Sequence, residues 1–116
     1  MISSVSVFIG GMIGAVLRYE ISRFNRNAPL PWGTAIVNVT GGMLLGLMIR
    51  FQDSLPLSDW VRLLVTVGFC GGFTTFSTFS YEVFDLIKKR AYFFAFFYGV
   101  GSTLLTILGI YLVSLF

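Results

Sequence analysis

The sequence predicts an all-α integral membrane protein of four spanning helices, a reading that rests on scarce charge, short length and four separated apolar stretches. Only 11% of the residues are charged against 56% hydrophobic, and the mean hydropathy is +0.87. Soluble domains carry about 25% charged residues, and small ones have the most surface per residue to solvate. Eight Lys+Arg and five Asp+Glu cannot coat such a surface. A spanning helix takes about 20 residues, so four spans use most of the 116 and leave short connections with no room for a soluble domain. The chain therefore reads as one membrane domain, residues 1–116.

The first span runs from about Ser3 to Phe24. Its amino end carries no Lys or Arg, and Arg18 and Arg23 come late, so it lacks the basic start of a cleaved signal and reads as a retained helix. Arg18 either snorkels to the interface or draws anions inward. Glu20 is too near in sequence to share its face. Pro29 and Pro31 break the first connection, Asn25–Pro31.

The second span, about Trp32 to Phe51, places Thr34 and Asn38 on one face, four residues apart. An asparagine that deep is costly unless partnered. Either it makes an interhelical hydrogen bond or its amide faces a polar path. Pro56 breaks the next connection, Gln52–Asp59.

The third span, about Trp60 to Ile87, contains Gly68-Phe69-Cys70-Gly71-Gly72-Phe73-Thr74-Thr75-Phe76-Ser77-Thr78-Phe79-Ser80 near its middle. Paired glycines followed by paired β-branched threonines weaken a helix. The hydroxyls of Thr74, Thr75, Ser77 and Thr78 can bond freed backbone groups. Two readings stand: a helix broken near 71–75, tolerated because it lines a polar cavity or is buried in protein, or a continuous helix packed through small residues. In the first, freed carbonyls are hard donors suited to a small cation. Phe76 and Phe79 share a face and are either packing aromatics or rings whose electropositive edges meet an anion. Glu82 and Asp85 lie within reach of Lys88 and Lys89, and Asp85 is the better placed of the two.

The fourth span, about Tyr92 to Phe116, follows the Lys88–Ala91 connection and carries Tyr98, Ser102 and Thr106 as one hydroxyl stripe. Such hydroxyls either line a hydrophilic track or bond their own helix. Trp32, Trp60 and Tyr92 open their spans, where amphipathic rings favour the headgroup zone. The pairs Gly10/Gly14, Gly42/Gly46 and Gly68/Gly72 permit close helix approach and suggest oligomerisation. With four crossings, Arg23, Arg26, Lys88, Lys89 and Arg90 fall on one side and Arg50 and Arg62 on the other. The basic bias puts the termini outside.

Chemistry is limited by what is missing. The chain has no histidine and one cysteine, Cys70, so imidazole catalysis, an internal disulfide and a thiolate metal site are absent. Cys70 reads as a packed small residue, and the five carboxylates are dispersed. The chain does not read as an enzyme.

Three segments carry a resemblance. Gly10-Gly11-Met12-Ile13-Gly14-Ala15-Val16-Leu17-Arg18-Tyr19, Trp32-Gly33-Thr34-Ala35-Ile36-Val37-Asn38-Val39-Thr40-Gly41 and Gly71-Gly72-Phe73-Thr74-Thr75-Phe76-Ser77-Thr78-Phe79 resemble the three signatures of the Fluc (CrcB) family of microbial fluoride channels. The resemblance spans essentially the whole chain. It implies an antiparallel homodimer of four-helix subunits, a third helix broken mid-membrane, dual topology and two fluoride pores. It also implies a structural sodium ion at the dimer centre, held by backbone carbonyls of Gly71 and Thr74 from both subunits. Carried over residue by residue, the ion pathway comprises Asn38, Phe76 and Phe79, the hydroxyls of Thr34, Tyr98, Ser102 and Thr106, and Arg18 at the vestibule. The expected function is passive fluoride efflux across the plasma membrane, lowering cytoplasmic fluoride. Antiparallel assembly needs both orientations inserted, whereas the basic tally favours one. The alternatives are a small four-helix multidrug exporter, which wants an acid deep in the first span where only the late Glu20 is found, and a structural membrane subunit.

Overall fold

The computed structural model describes residues 2–23, 30–54 and 56–115. Phe24, Arg26, Phe116 and the Asn25–Pro29 part of the first connection lie outside these residues. Four helical stretches among them are long and apolar enough to cross a membrane. The first is α1 (Ile2–Ser22) and the second α2 (Trp32–Arg50). The third is composite: α3 (Asp59–Leu63), a π-helical turn (Leu64–Phe69), α4 (Cys70–Phe73) and, after a break, α5 (Ser77–Lys88). The fourth is α6 (Tyr92–Ser114).

The molecule measures 49 × 31 × 18 Å. Its long dimension exceeds the roughly 30 Å hydrocarbon core of a bilayer. The short one holds little more than a single helix with its side chains. So flat a slab has a thin core. Among the described residues only Val37 and Thr34 are large side chains with under 2% exposure, and Phe8, Phe93 and Phe96 stand on the outside.

Two packing seams hold the slab together. In the first, α1 lies on the π turn and α4. Ser6, Gly10 and Gly14 recur every fourth residue and are its buried stripe. A Cβ on Gly10 would overlap the Leu64 carbonyl oxygen and one on Gly14 the Phe69 carbonyl oxygen. Reciprocally, a Cβ on Gly68 would stand 2.6 Å from the Val7 oxygen, and one on Gly72 would overlap the Gly11 oxygen. Backbone meets backbone, which only glycine permits. In the second seam α2 packs on α6, where Gly42 and Gly46 receive Thr106, Ile110 and Val113. All three small-residue pairs are therefore used within one chain. The suggested oligomerisation draws no support from them.

The π turn has no sequence signature. There each N–H reaches back five residues, as Cys70 does to the Val65 carbonyl. The third span ends in a Schellman turn. Ala91 N–H donates to Leu86 O and Arg90 N–H to Ile87 O, both at 2.9 Å, with Arg90 left-handed at φ 62°.

Candidate functional site

The break in the third span falls at Thr74, within the 71–75 stretch expected for it. Gly71 and Gly72 remain helical in α4, and Thr74 is the first extended residue, at φ −88° and ψ 158°. A side chain from another span holds the chain there. Asn38 grips Thr75 on both backbone groups: Nδ2–H donates to Thr75 O at 3.0 Å, and Oδ1 accepts Thr75 N–H at 2.8 Å. The Cys70 carbonyl takes the Thr74 N–H at 3.0 Å and the Thr74 Oγ1–H at 2.7 Å. Thr75 Oγ1 accepts the Thr78 N–H at 3.1 Å as α5 begins. Arg18, from α1, donates Nε–H to the Gly72 carbonyl at 3.0 Å. Freed backbone groups at bilayer depth must be satisfied inside the protein, and these bonds do so for the Cys70, Gly72 and Thr75 carbonyls.

A helix interrupted in this way exposes two opposite termini. The carbonyl end of α4 is partially negative and suits a cation, and the amide end of α5 is partially positive and suits an anion. Both open on a groove of about 510 Å³ that includes Asn38, Gly71, Thr74, Phe76, Phe79, Ser102 and Thr106 in its lining. Phe76 is 79% exposed. Its ring centroid lies 6.1 Å from that of Phe79, tilted 37°, and Phe79 lies 5.3 Å from Tyr98. Seven of the ten residues singled out by sequence thus come together.

Thr34, Tyr98 and Arg18 stand apart from that lining. Thr34 and Tyr98, both buried, converge on Glu82 instead. Thr34 Oγ1–H donates to Glu82 Oε2 at 3.1 Å and Tyr98 Oη–H to Oε1 at 2.9 Å. Sequence reasoning did not place this cluster. The available signal was a carboxylate within a span, a default functional candidate, but the convergence of α2 and α6 on it has no local pattern.

The hydroxyl stripe on α6 is also more constrained than its spacing suggests. Ser102 Oγ–H bonds the Tyr98 carbonyl at 2.6 Å, and Thr106 Oγ1–H bonds the Ser102 carbonyl at 2.8 Å. A hydroxyl has one proton, so as they stand both present lone pairs to the groove. Donation to an anion requires each to rotate out of its back-bond. The Asn38 Nδ2 group carries a second proton beyond the one given to Thr75.

Among the described residues no group of three or more His, Cys, Asp or Glu could hold a metal, so a cation here would rely on carbonyl oxygens. Gly71 and Thr74 fit that chemistry. Gly71 is exposed, with nothing within 4 Å of an added Cβ. A hard cation gathers about six oxygens, so one chain supplies only part of such a shell. The peripheral charges pair locally: Asp85 with Lys89 at 2.9 Å and Glu20 with Arg23 at 3.0 Å. The Asp85 carboxylate holds the Lys89 ammonium above its usual range, chiefly by their hydrogen bond. Cys70 is buried, as a packing residue should be.

A family model described as "CrcB-like protein, Camphor Resistance (CrcB)" matches residues 5–114. A protein of Phocaeicola vulgatus named "Fluoride-specific ion channel FluC" is 43% identical over 115 residues, covering 97% of this chain and 95% of the relative. One of the same name from Escherichia coli O1:K1 / APEC is 39% identical over 123 residues, covering 99% and 98%. Another from Leptospira interrogans is 43% identical over 95 residues, covering 78% and 74%.

Proposed function

The chain belongs to the CrcB-like family, and from that premise we infer that it is a fluoride channel, a multi-pass membrane protein and not an enzyme. Fluoride passes down its electrochemical gradient along the groove at the broken third span, in the plasma membrane, and so lowers cytoplasmic fluoride. The observation that supports this path most is the pair of hydrogen bonds between Asn38 and the Thr75 backbone. It holds the break open on the groove while leaving an amide proton to spare.

Fluoride is strongly hydrated, and a pore must replace that water with close-set donors and weak positive potential. Asn38 supplies a donor, the amide end of α5 a partial positive charge, and the edges of Phe76 and Phe79 a further one. Ser102 and Thr106 join as their hydroxyls rotate. Thr34 and Tyr98 act at one remove, through Glu82.

The subunit works as an antiparallel homodimer, inserted in both orientations. Its thinness, the open groove and the exposed Gly71 support a second copy on this face. The carbonyls of Gly71 and Thr74 from both copies then hold a structural sodium ion. Bound there, sodium would neutralise carbonyl dipoles that are otherwise unsatisfied in low dielectric.

The test is fluoride efflux from liposomes containing the purified protein. We expect efflux driven by a fluoride gradient alone. Flux that required an opposing pH gradient would contradict a passive channel. Replacing sodium by a bulky organic cation on both sides should abolish flux, and undiminished flux after prolonged exchange would remove the sodium ion from the reading.

A further inference from the structure

We propose that Arg18 is a positioning residue that sets the carbonyl end of α4 through the bond from its Nε–H to the Gly72 oxygen, and that its charge at the vestibule is secondary. The geometry begins with the glycine seam. Gly10, Gly14 and Arg18 recur every fourth residue and share one face of α1. Gly10 lies on the π turn and Gly14 on the Phe69–Phe73 backbone. One turn further, the same face passes the end of α4, and Arg18 meets Gly72 there at 3.0 Å, from 54 residues away. Without a Cβ on Gly14 or Gly72, α1 approaches closely enough for the side chain to bond without spanning a gap.

The acceptor is one of the last carbonyls of α4, which have no partner within the helix. A cationic donor at a helix C-terminus is favoured by the local dipole as well as by the hydrogen bond. Gly72 lies between Gly71 and the extended Thr74. Fixing its peptide fixes the direction in which the flanking carbonyls point, and where the chain leaves toward Asn38 and Phe76. Arg18 therefore acts on the break from α1, as Asn38 does from α2, and it does so without being part of the groove lining.

Side-chain lengths make the two roles separable. In Arg18→Gln the amide nitrogen follows Cβ, Cγ and Cδ, at the bond count of Nε, so the donor survives and the charge is gone. Arg18→Met has matching length with neither. Purified full-length variants in liposomes are compared for fluoride efflux, and in detergent for elution as assembled protein. We expect Gln to exceed Met by about two- to tenfold, the scale of a neutral hydrogen bond, and its flux relative to wild type to be insensitive to inert salt. Failure of Met to assemble while Gln assembles and conducts supports the same conclusion.

Equal loss in Gln and Met overturns it, as does a Gln defect that fades at high salt, since screening marks long-range attraction. Wild-type flux in Met, or failure of Gln to assemble, overturns it too. In residual Met flux the sodium concentration for half-maximal activity should rise, and in Gln it should not. That arm rests on the sodium reading. Wild-type flux indifferent to sodium would fail that reading alone, leaving the Gln–Met comparison to decide.

Discussion

Gly72 and Gly71 are adjacent in sequence and have opposite surroundings. A Cβ on Gly72 would overlap the Gly11 carbonyl oxygen, whereas one on Gly71 would meet nothing within 4 Å. The first belongs to the seam where α1 and the third span touch backbone to backbone, a contact completed within the chain. The second belongs to the broken face, where a groove, an exposed Phe76 and unfilled space stand together. The seam is a packing problem already solved. The broken face is polar backbone held in readiness, which inside a bilayer makes sense only where ions, water or another protein surface meet it.

Breaking the seam should have the largest effect. Gly72→Val forces side-chain carbon into backbone that cannot yield, at a cost of about 3 kcal/mol or more, the upper range for overpacking. Loss of recoverable, monodisperse protein is the expected outcome, and a normally eluting, active variant would show the seam to be looser than described. Next is Asn38→Asp. It keeps an acceptor for the Thr75 N–H but turns an anionic oxygen toward the Thr75 carbonyl and the ion path. We expect fluoride efflux to fall by more than about tenfold, since a lost donor leaves a buried carbonyl unsatisfied at about 1–3 kcal/mol, with assembly less affected. Normal flux in an assembled variant would take Asn38 off the pathway.

A smaller change is expected from Tyr98→Phe, which removes one of the hydroxyls bonded to Glu82. Interhelical hydrogen bonds in membranes average about 0.6 kcal/mol, so thermal unfolding in detergent should shift by only a few degrees. Lys89→Ala should be the smallest. Its pair with Asp85 is solvent-exposed, and neither thermal stability nor flux should move measurably.

Much of this contrast can be read from residue order, and the unread parts share one physical cause. Four apolar stretches, the Pro and aromatic punctuation and the i, i+4 faces are local, so the spans begin and end within a few residues of where hydropathy puts them. Asn38 was legible as a costly polar residue in need of a partner. That its partner is Thr75, 37 residues away, was not, and this contact holds the chain where it leaves α4 at Thr74. The Tyr98–Ser102–Thr106 spacing was legible as a stripe, while the direction of each hydroxyl proton depends on the nearest free carbonyl. Gly68 and Gly72 announced close approach without naming α1 as the surface approached. The π turn, a change of hydrogen-bond register with no preferred residue type, left no mark at all.

The broken face as a surface completed by a second copy is tested most directly by Gly71→Val, read as fluoride efflux and as particle mass in detergent. Gly71 is helical, without positive φ, and open space surrounds it, so the variant subunit should fold as wild type does. We expect it nonetheless to elute at the mass of a single subunit and to conduct no fluoride, because the added branches occupy the space assigned to the partner and the shared ion. A Gly71→Val protein that elutes as a dimer and conducts at the wild-type rate would contradict that assignment.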